Sequence, residues 1–178
     1  MELVGHIACD FGGMDLLFGI CRRPWLEERD GLSSDAWVAQ FESGFLRLKT
    51  LTEHLLAGMC ERRWGRILWM IPSDGAATKL ENEVHLLMSG LLATWLKSTA
   101  KEVSEYNVTL NVLTPGAIAK GGARASPRAS VDRRVRRSEP HSASTSLSAR
   151  QVAAVAAFLL GDVAGCVRGE TIRLDSVH

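Results

Sequence analysis

The sequence predicts an α/β fold in which helices cover a mostly parallel sheet. Short apolar runs that end at Gly, Pro or charged residues predict buried strands. Longer segments with apolar residues at steps of three and four predict amphipathic helices. Because strands and helices alternate along the chain, neighbouring strands are expected to run parallel. The 178 residues are enough for one domain with its own hydrophobic core.

Two strands and one long helix are predicted in the first third of the chain. Residues 2–8 and 14–20 are apolar runs, too short for helices and bounded by turn residues. Ser33, Ser34 and Asp35 offer N-cap side chains for a helix that we expect to end at Gly65. Its apolar stripe consists of Trp37, Phe41, Phe45, Leu48, Leu51, Leu55 and Met59.

Three strands and two helices are predicted in the rest of the chain. The strands are expected at 66–71, 108–113 and 170–174, and a helix with a broad apolar face at about 80–103. Ser148 is expected to cap a last helix that runs to about Leu160. Residues 120–148 carry almost no large apolar side chains, which predicts a flexible basic loop within a single domain spanning residues 1–178.

Charge, hydropathy and cysteine content narrow the classes of function. The net charge is +1, but seven Lys or Arg and one Asp lie between Lys120 and Arg137. These cations could contact the phosphate of a nucleic acid, of coenzyme A or of a carrier-protein arm, or they could form a solvated lid. No aromatic residues alternate with them to stack on bases, so no nucleic-acid partner is predicted.

No apolar run is long enough to span a membrane, and the N-terminus has no basic region of a secretory signal. The four cysteines are far apart, without a CxxC pair. This pattern predicts reduced thiols in a cytoplasmic protein with no membrane partner.

Several short stretches follow one another in the order and spacing of a known enzyme family. They are Asp35-Ala36-Trp37, Ala57-Gly58-Met59, Trp64-Gly65-Arg66-Ile67, Ala100-Lys101-Glu102-Val103, Val108-Thr109-Leu110-Asn111-Val112, Pro115-Gly116, Gln151-Val152-Ala153, Phe158-Leu159-Leu160 and Gly169-Glu170-Thr171 to Asp175. With them the chain resembles the short-chain dehydrogenase/reductase family, and most closely its 3-oxoacyl carrier-protein reductase branch. The resemblance implies a truncated Rossmann-like three-layer sandwich whose first βαβ unit is missing.

The resemblance also implies a dinucleotide site, for which this sequence lacks the glycines. Members of the family hold the pyrophosphate at a glycine-rich turn, where backbone N–H groups can approach the phosphates. Neither GxxxGxG nor GxGxxG occurs here, and Gly12-Gly13 is an isolated pair typical of a turn. The sequence matches the family only from near its third or fourth strand. We therefore expect no NAD(P) site and no cofactor.

The catalytic positions that the resemblance implies are occupied by other residues. Counting along the matched stretches places His85 at the Tyr position of the family and Ser89 at its Lys position. Pro72 falls at the Ser position, with Ser73 beside it, and Gly44 falls at the Asn position. A serine cannot supply the positive charge that lowers the pKa of a neighbouring acid. Hydride transfer is therefore not expected.

A second interpretation gives the same region a different chemistry. The candidates for a repurposed catalytic pocket are Ser73, Asp74, Glu81 and His85. Helical spacing puts Glu81 and His85 on one face, and a histidine with a carboxylate can act as acid and base. A cofactor-independent cyclase, dehydratase or isomerase could use them, in a pocket also lined by Trp69 and Leu113. The simpler interpretation is a solvated acidic first helical turn with no catalytic role. No metal site is predicted.

The family resemblance implies that the two long helices, and the last helix with the last strand, form subunit interfaces. These elements persist although the catalytic residues are changed. The first hypothesis is a non-catalytic subunit, a pseudoenzyme, that forms a homo-oligomer or a hetero-oligomer with a full-length active homologue. It would serve acyl or polyketide-type metabolism, with an acyl thioester as candidate ligand. A third hypothesis is a chain that has lost its function altogether.

Without the first strands of the family, residues 14–20 would form an apolar sheet edge. We expect either residues 2–8 or a partner subunit to cover that edge.

Overall fold

A computed structural model describes residues 13–21, 33–71, 79–116, 118 and 147–175, without the side chains of residues 79–85. The strands are β1 (Leu16–Ile20), β2 (Gly65–Met70), β3 (Val108–Pro115) and β4 (Thr171–Leu174). The helices are α1 (Ser34–Phe41), α2 (Arg47–Glu61), α3 (Lys79–Glu102) and α4 (Ala149–Leu160). A π-helical segment, Glu42–Leu46, joins α1 to α2, and 3₁₀ turns cover Ser104–Tyr106 and Asp162–Cys166.

The four strands form one parallel sheet in the order β1-β2-β3-β4. This confirms the predicted α/β class and the parallel sheet. The predicted strand at 2–8 and residues 120–146 of the predicted loop lie outside the described residues. The missing first βαβ unit and the single-domain organisation stay predictions.

Alternate side chains of the central strands enter two separate apolar clusters, one on each face of the sheet. On one face, Ile67 and Trp69 of β2 pack with α2 and α3. On the other face, Leu68 and Met70 pack with α4. The sheet is therefore the middle layer of three, as the resemblance implied.

The two serine caps are formed as predicted. The Ser33 hydroxyl accepts a hydrogen bond from the Ala36 N–H at 3.2 Å, and α1 begins at the next residue. The Ser148 hydroxyl accepts from the Gln151 N–H at 3.2 Å, while the Gln151 side chain accepts from the Ser148 N–H at 2.8 Å. This reciprocal capping box sets the start of α4.

The prediction that Gly65 ends the long helix is wrong. The helix α2 ends at Glu61, and Arg63 makes the turn with a φ of +54°. Gly65 is already the first residue of β2, and a Cβ atom there would lie 2.6 Å from the Met59 sulfur. A glycine is needed at this position because the end of α2 lies directly against the strand.

The predicted continuous helix is also interrupted by the π-helical segment. The Arg47 N–H donates to the Glu42 carbonyl, five residues back instead of four. The Ser43 hydroxyl donates to the Ala39 carbonyl at 2.7 Å and so occupies an acceptor of the preceding turn. Such a single turn of π-helix within an α-helix is rare. On its two sides the burial differs, since α1 has no fully buried residue, whereas α2 buries four.

Candidate functional site

The carboxyl ends of the parallel strands are the edge of the sheet where ligands bind in open α/β folds. The described residues that directly follow the strands there are Cys21, Ile71, Gly116 and Asp175. The N–H groups of the first three donate to carbonyls of the neighbouring strand over 2.8–2.9 Å. The sheet is therefore hydrogen-bonded up to this edge.

Cys21 is the one thiol among the described residues at this edge. Burial raises its pKa to about 12, and its side chain packs against the cluster formed with α2 and α3. A thiol is a nucleophile only after it loses its proton. Cys21 is therefore a neutral packing residue at ordinary pH.

The four residues predicted for a repurposed pocket are not located by the structure. Ser73 and Asp74 lie outside the described residues, as do the side chains of Glu81 and His85. The backbone of α3 begins at Lys79, so positions 81 and 85 are one helical turn apart, as their spacing implied. Their chemical roles stay predictions.

Among the other family positions assigned by counting, the structure describes Ser89 at the Lys position and Gly44 at the Asn position. The Ser89 hydroxyl donates to the Leu86 carbonyl of its own helix at 3.0 Å. Gly44 lies in the π-helical segment, and a Cβ atom there would reach Met88 at 3.8 Å. The helix that carries Ser89 therefore packs directly against the segment that carries Gly44, without a charged group at either position.

The prediction that Trp69 and Leu113 line the same pocket is wrong. Trp69 is 3% exposed and belongs to the cluster on the α2–α3 face, whereas Leu113 is completely buried in the cluster on the α4 face. Because Leu113 is in register with Met70, not with Trp69, the two side chains point to opposite faces of the sheet. They cannot line one pocket.

The Trp69 indole instead fills the space over β1. Its Nε1 donates to the Thr52 hydroxyl of α2 at 3.1 Å. A Cβ atom on Gly19 would lie 1.9 Å from the indole, so the ring rests directly on the glycine backbone. The indole therefore covers β1 at Gly19 on the α2–α3 face of the sheet.

Three arginines surround the turn that precedes β3, at the opposite edge of the sheet. Arg168 donates to the Ser104 carbonyl at 2.7 Å, Arg63 to the Glu105 carbonyl at 2.9 Å, and Arg66 to the Asn107 carbonyl at 2.8 Å. Their guanidinium groups hold backbone carbonyls in place, which indicates a structural role.

Arg66 is almost fully buried, at 2% exposure, and has the exposed Asp162 carboxylate 3.7 Å away. The same carboxylate accepts from Trp64 Nε1 at 3.0 Å, and the Arg66 guanidinium lies over the Trp64 ring at 4.7 Å. Asp162 thereby links the start of β2 to the turn between α4 and β4. Arg66 is a charged residue within the apolar run of β2. This pattern could have indicated the contact from the sequence, but it was not predicted.

Large apolar side chains are exposed on the helices that the resemblance assigned to subunit interfaces. They are Val38 on α1, Leu46 on the π-helical segment, Leu86, Leu87 and Leu91 on α3, and Phe158 on α4. On α3, Leu87 is 55% exposed and Leu91 is 44% exposed, and the two lie one turn apart on the same face. Clustered exposed apolar residues are typical of protein contact surfaces.

Within the described ranges, no group of His, Cys, Asp and Glu could hold a metal ion. No described helix combines the length and the apolar character that crossing a membrane requires.

Comparison with known proteins connects this architecture to a family. Residues 2–176 match the family described as enoyl-(acyl carrier protein) reductase. The chain belongs to the short-chain dehydrogenase/reductase family. The resemblance found in the sequence is thereby confirmed.

Individual short-chain dehydrogenases and reductases match almost the whole chain. The 3-oxoacyl-acyl carrier protein reductase FabG of Salmonella typhimurium is 27% identical over 98% of this chain and 70% of its own length. The acetoacetyl-CoA reductase of Shinella zoogloeoides is 24% identical over 97% of this chain and 70% of its own length. The crystal structure of YwfH, an NADPH-dependent reductase involved in bacilysin biosynthesis, has a TM-score of 0.75 at 20% identity, over 98% of this chain and 70% of that structure.

Proposed function

We propose that this chain is a non-catalytic member of the short-chain dehydrogenase/reductase family that works as a subunit of an assembly. It would associate with itself or with an active member of the family. The proposal rests above all on position 89, which counting assigns to the family's lysine. The serine at this position cannot supply the positive charge that the lysine provides.

The counted Tyr and Lys positions of the family are four residues apart, and here they are His85 and Ser89 on the continuous helix α3. Hydride transfer needs a cation near the acid to lower its pKa. The Ser89 hydroxyl carries no charge and is bound to the carbonyl of Leu86. The geometry of the helix thus supports the correspondence, while the side chain does not supply the required charge.

The exposed apolar residues of α3 and α4 support the assembly part of the proposal. Leu87 and Leu91 on α3 and Phe158 on α4 expose between 44% and 55% of their surface. Their burial in a subunit interface would remove this apolar area from water and so favour association. The same faces would remain useful for association after catalysis was lost.

The nature of the assembly's substrate is suggested by the names of the relatives. The matched reductases are named for 3-oxoacyl-acyl carrier protein and for acetoacetyl-CoA. An acyl thioester is therefore the ligand class that we propose for the assembly in acyl or polyketide-type metabolism. We do not propose the cofactor-independent enzyme, because Trp69 and Leu113 lie on opposite faces of the sheet.

The catalytic part is tested with the purified chain and a full-length 3-oxoacyl reductase as positive control. NADPH binding is measured by calorimetry, and NADPH oxidation is followed with acetoacetyl-CoA. We expect saturable binding and turnover in the control only. Turnover by this chain that is lost in His85→Ala and Ser89→Ala, but kept in the matched helix variant Ser98→Ala, would overturn the proposal.

The assembly part is tested by native mass spectrometry after co-expression with a full-length family reductase from the same cells. We expect a homo-oligomer or a mixed oligomer. Monomers at every concentration, alone and with the reductase, would contradict the subunit role.

A further inference from the structure

Two buried polar atoms in the centre of the sheet have no hydrogen-bond partner among the described residues. They are Arg66 Nε on β2 and Thr109 Oγ1 on β3. Both residues are closed off from solvent, at 2% and 0% exposure. Buried polar atoms are almost always hydrogen-bonded, and one that is left unpaired costs free energy. A small bound molecule can supply the missing partner.

The strand register brings the two side chains together. Arg66 and Thr109 are direct partners on adjacent parallel strands, which lie about 4.8 Å apart. Register partners direct their side chains to the same face, which here is the α4 face. The two atoms do not hydrogen-bond to each other. One water molecule can join polar atoms that are up to about 5.5 Å apart, because each hydrogen bond is about 2.8 Å long.

The other contacts of the Arg66 guanidinium leave Nε as the nitrogen that needs a partner. A guanidinium has five N–H donors. Nη1 donates to the Gly65 carbonyl at 2.9 Å and to the Asn107 carbonyl at 2.8 Å. Nη2 lies 3.7 Å from the Asp162 carboxylate. The groups that surround the guanidinium thus belong to the part of the chain that the structure describes, and they engage its two terminal nitrogens.

The 3₁₀ turn Asp162–Cys166 lies over the guanidinium on the α4 face. Ala164 in this turn is fully buried. A Cβ atom added to Gly165 would lie 3.6 Å from Arg66 Nη2. The turn therefore separates the guanidinium from solvent, and a molecule that binds at Nε would be enclosed.

Asn111, two residues further along β3 on the same face, is satisfied by the protein itself. Its Nδ2 donates to the Val167 carbonyl at 2.9 Å, and its Oδ1 accepts from the Glu170 N–H at 3.0 Å. Both partners belong to the segment that leads into β4. Since β4 pairs with β3 only from Val112 onward, this segment does not satisfy the Thr109 hydroxyl. The different positions along β3 explain why Asn111 is paired and Thr109 is not.

We propose that one buried water molecule binds between Arg66 Nε and Thr109 Oγ1, beneath the 3₁₀ turn. The water accepts a hydrogen bond from the Nε–H and forms a second one with the Thr109 hydroxyl, which can donate or accept. Internal waters typically make two to four such bonds to buried polar groups. A neutral molecule fits this site better than an anion such as chloride. The Asp162 carboxylate already lies beside the guanidinium, and a second buried anion would carry a large desolvation cost.

This site lies near the amino ends of β2 and β3. It involves neither Ser89 nor the exposed helix residues on which the proposed function rests, so it does not depend on that proposal. The bound water would hold the guanidinium at Nε while Nη1 and Nη2 contact Asn107 and Asp162. Thr109 would thereby act as a positioning residue for the buried arginine.

A crystal structure of the intact chain, at a resolution that shows ordered water, tests the site directly. We expect a density peak about 2.7–3.2 Å from both Arg66 Nε and Thr109 Oγ1. A direct hydrogen bond between the two atoms, or a protein group in the place of the water, would overturn the inference. So would an anomalous bromide signal at this position in crystals grown with bromide, because it would identify an anion.

Thr109→Val tests the same site in solution, because it replaces the hydroxyl by a methyl group of similar size. We expect the equilibrium constant for folding, from urea denaturation, to fall about fivefold or more, since Arg66 Nε loses its partner. Thr99→Val is the matched control. The Thr99 hydroxyl donates to the Trp95 carbonyl of its own helix at 3.0 Å, so its removal leaves no buried donor unpaired, and the loss should be smaller. Equal or higher stability of Thr109→Val than of the unmodified chain would contradict the proposal.

Nuclear magnetic resonance tests the site even if Thr109→Val does not fold. In the unmodified chain, the Nε–H of Arg66 should show a nuclear Overhauser effect to water with the sign of a long-lived bound molecule. Thr109→Ser keeps the hydroxyl and should keep this effect, whereas a folded Thr109→Val should lose it. A folded, unmodified chain without the effect would refute the bound water.

Discussion

Replacing Gly19 with alanine is expected to be one of the most destabilising single-methyl changes in this chain. The added Cβ atom would lie 1.9 Å from Cζ3 and 2.2 Å from Cε3 of the Trp69 indole. Ordinary carbon contacts are about 3.5 Å or longer, so the ring must move by about 1.5 Å. It is 3% exposed and held by the hydrogen bond from Nε1 to Thr52. The indole therefore has little room to retreat.

The magnitude follows from two contributions. Overpacking of a filled core costs about 1–3 kcal/mol. Displacement of the indole also weakens its bond to the buried Thr52 hydroxyl, which costs about 1 kcal/mol. We therefore expect Gly19→Ala to lower the free energy of unfolding by about 2–4 kcal/mol. Urea denaturation followed by far-ultraviolet circular dichroism measures this change.

Two comparisons show whether the indole is the cause. Gly90→Ala is the matched control, because an added Cβ atom on that helical glycine meets nothing within 4 Å, and it should stabilise the chain by up to about 1 kcal/mol. In a Trp69→Leu background, Gly19→Ala should cost about 2 kcal/mol less than in the original chain. A Gly19→Ala effect below about 0.5 kcal/mol, or strict additivity with Trp69→Leu, would refute the reasoning.

Other predictions follow from the polar contacts and the thiols. Asp162→Ala should lower the free energy of unfolding by about 1 kcal/mol, because the buried Arg66 loses the carboxylate beside it. Asp162→Asn keeps a hydrogen-bond acceptor and should cost less. Equal losses of stability in the two variants would show that the charge of Asp162 does not contribute. Ser148→Ala should cost about 1 kcal/mol in urea denaturation through loss of the capping box. Burial raises the pKa of Cys21 from 9.0 to about 12, so its contribution to stability is complete below pH 9 and is lost as the pH rises toward 12. The free energy of unfolding, measured by urea denaturation across this pH range, should therefore change less with pH in Cys21→Ala than in the original chain. In the native chain, iodoacetamide should label the exposed Cys166 well before Cys21.

Local patterns in the sequence were sufficient for most of the element assignments. Ser33 and Ser148 were predicted as caps because a hydroxyl can satisfy N–H groups only a few residues away. The parallel sheet followed from the alternation of strands and helices, and the family from short stretches in a fixed order. The strand β3 runs two residues past the predicted Leu113 because Thr114 and Pro115 pair with β4, and such a pairing depends on a distant segment.

The candidate site could be predicted only in part, because its chemistry depends on which side chains meet. Counting along the sequence assigns Ser89 to the family's lysine position, and this assignment stays a prediction. The expected pocket between Trp69 and Leu113 failed because strand register and pleat, not proximity in sequence, decide which face of the sheet a side chain occupies.

The sequence by itself therefore determined the α/β class, the parallel order of elements, the helix caps and the family. These properties depend on periodicity and on contacts within a few residues. Only the tertiary structure decided that Gly65 lies against α2, that Arg66 is buried beside Asp162, and that Thr109 is buried in register with Arg66. Each of these depends on segments that are distant in the chain and adjacent in space, and local patterns carry no information about such distances.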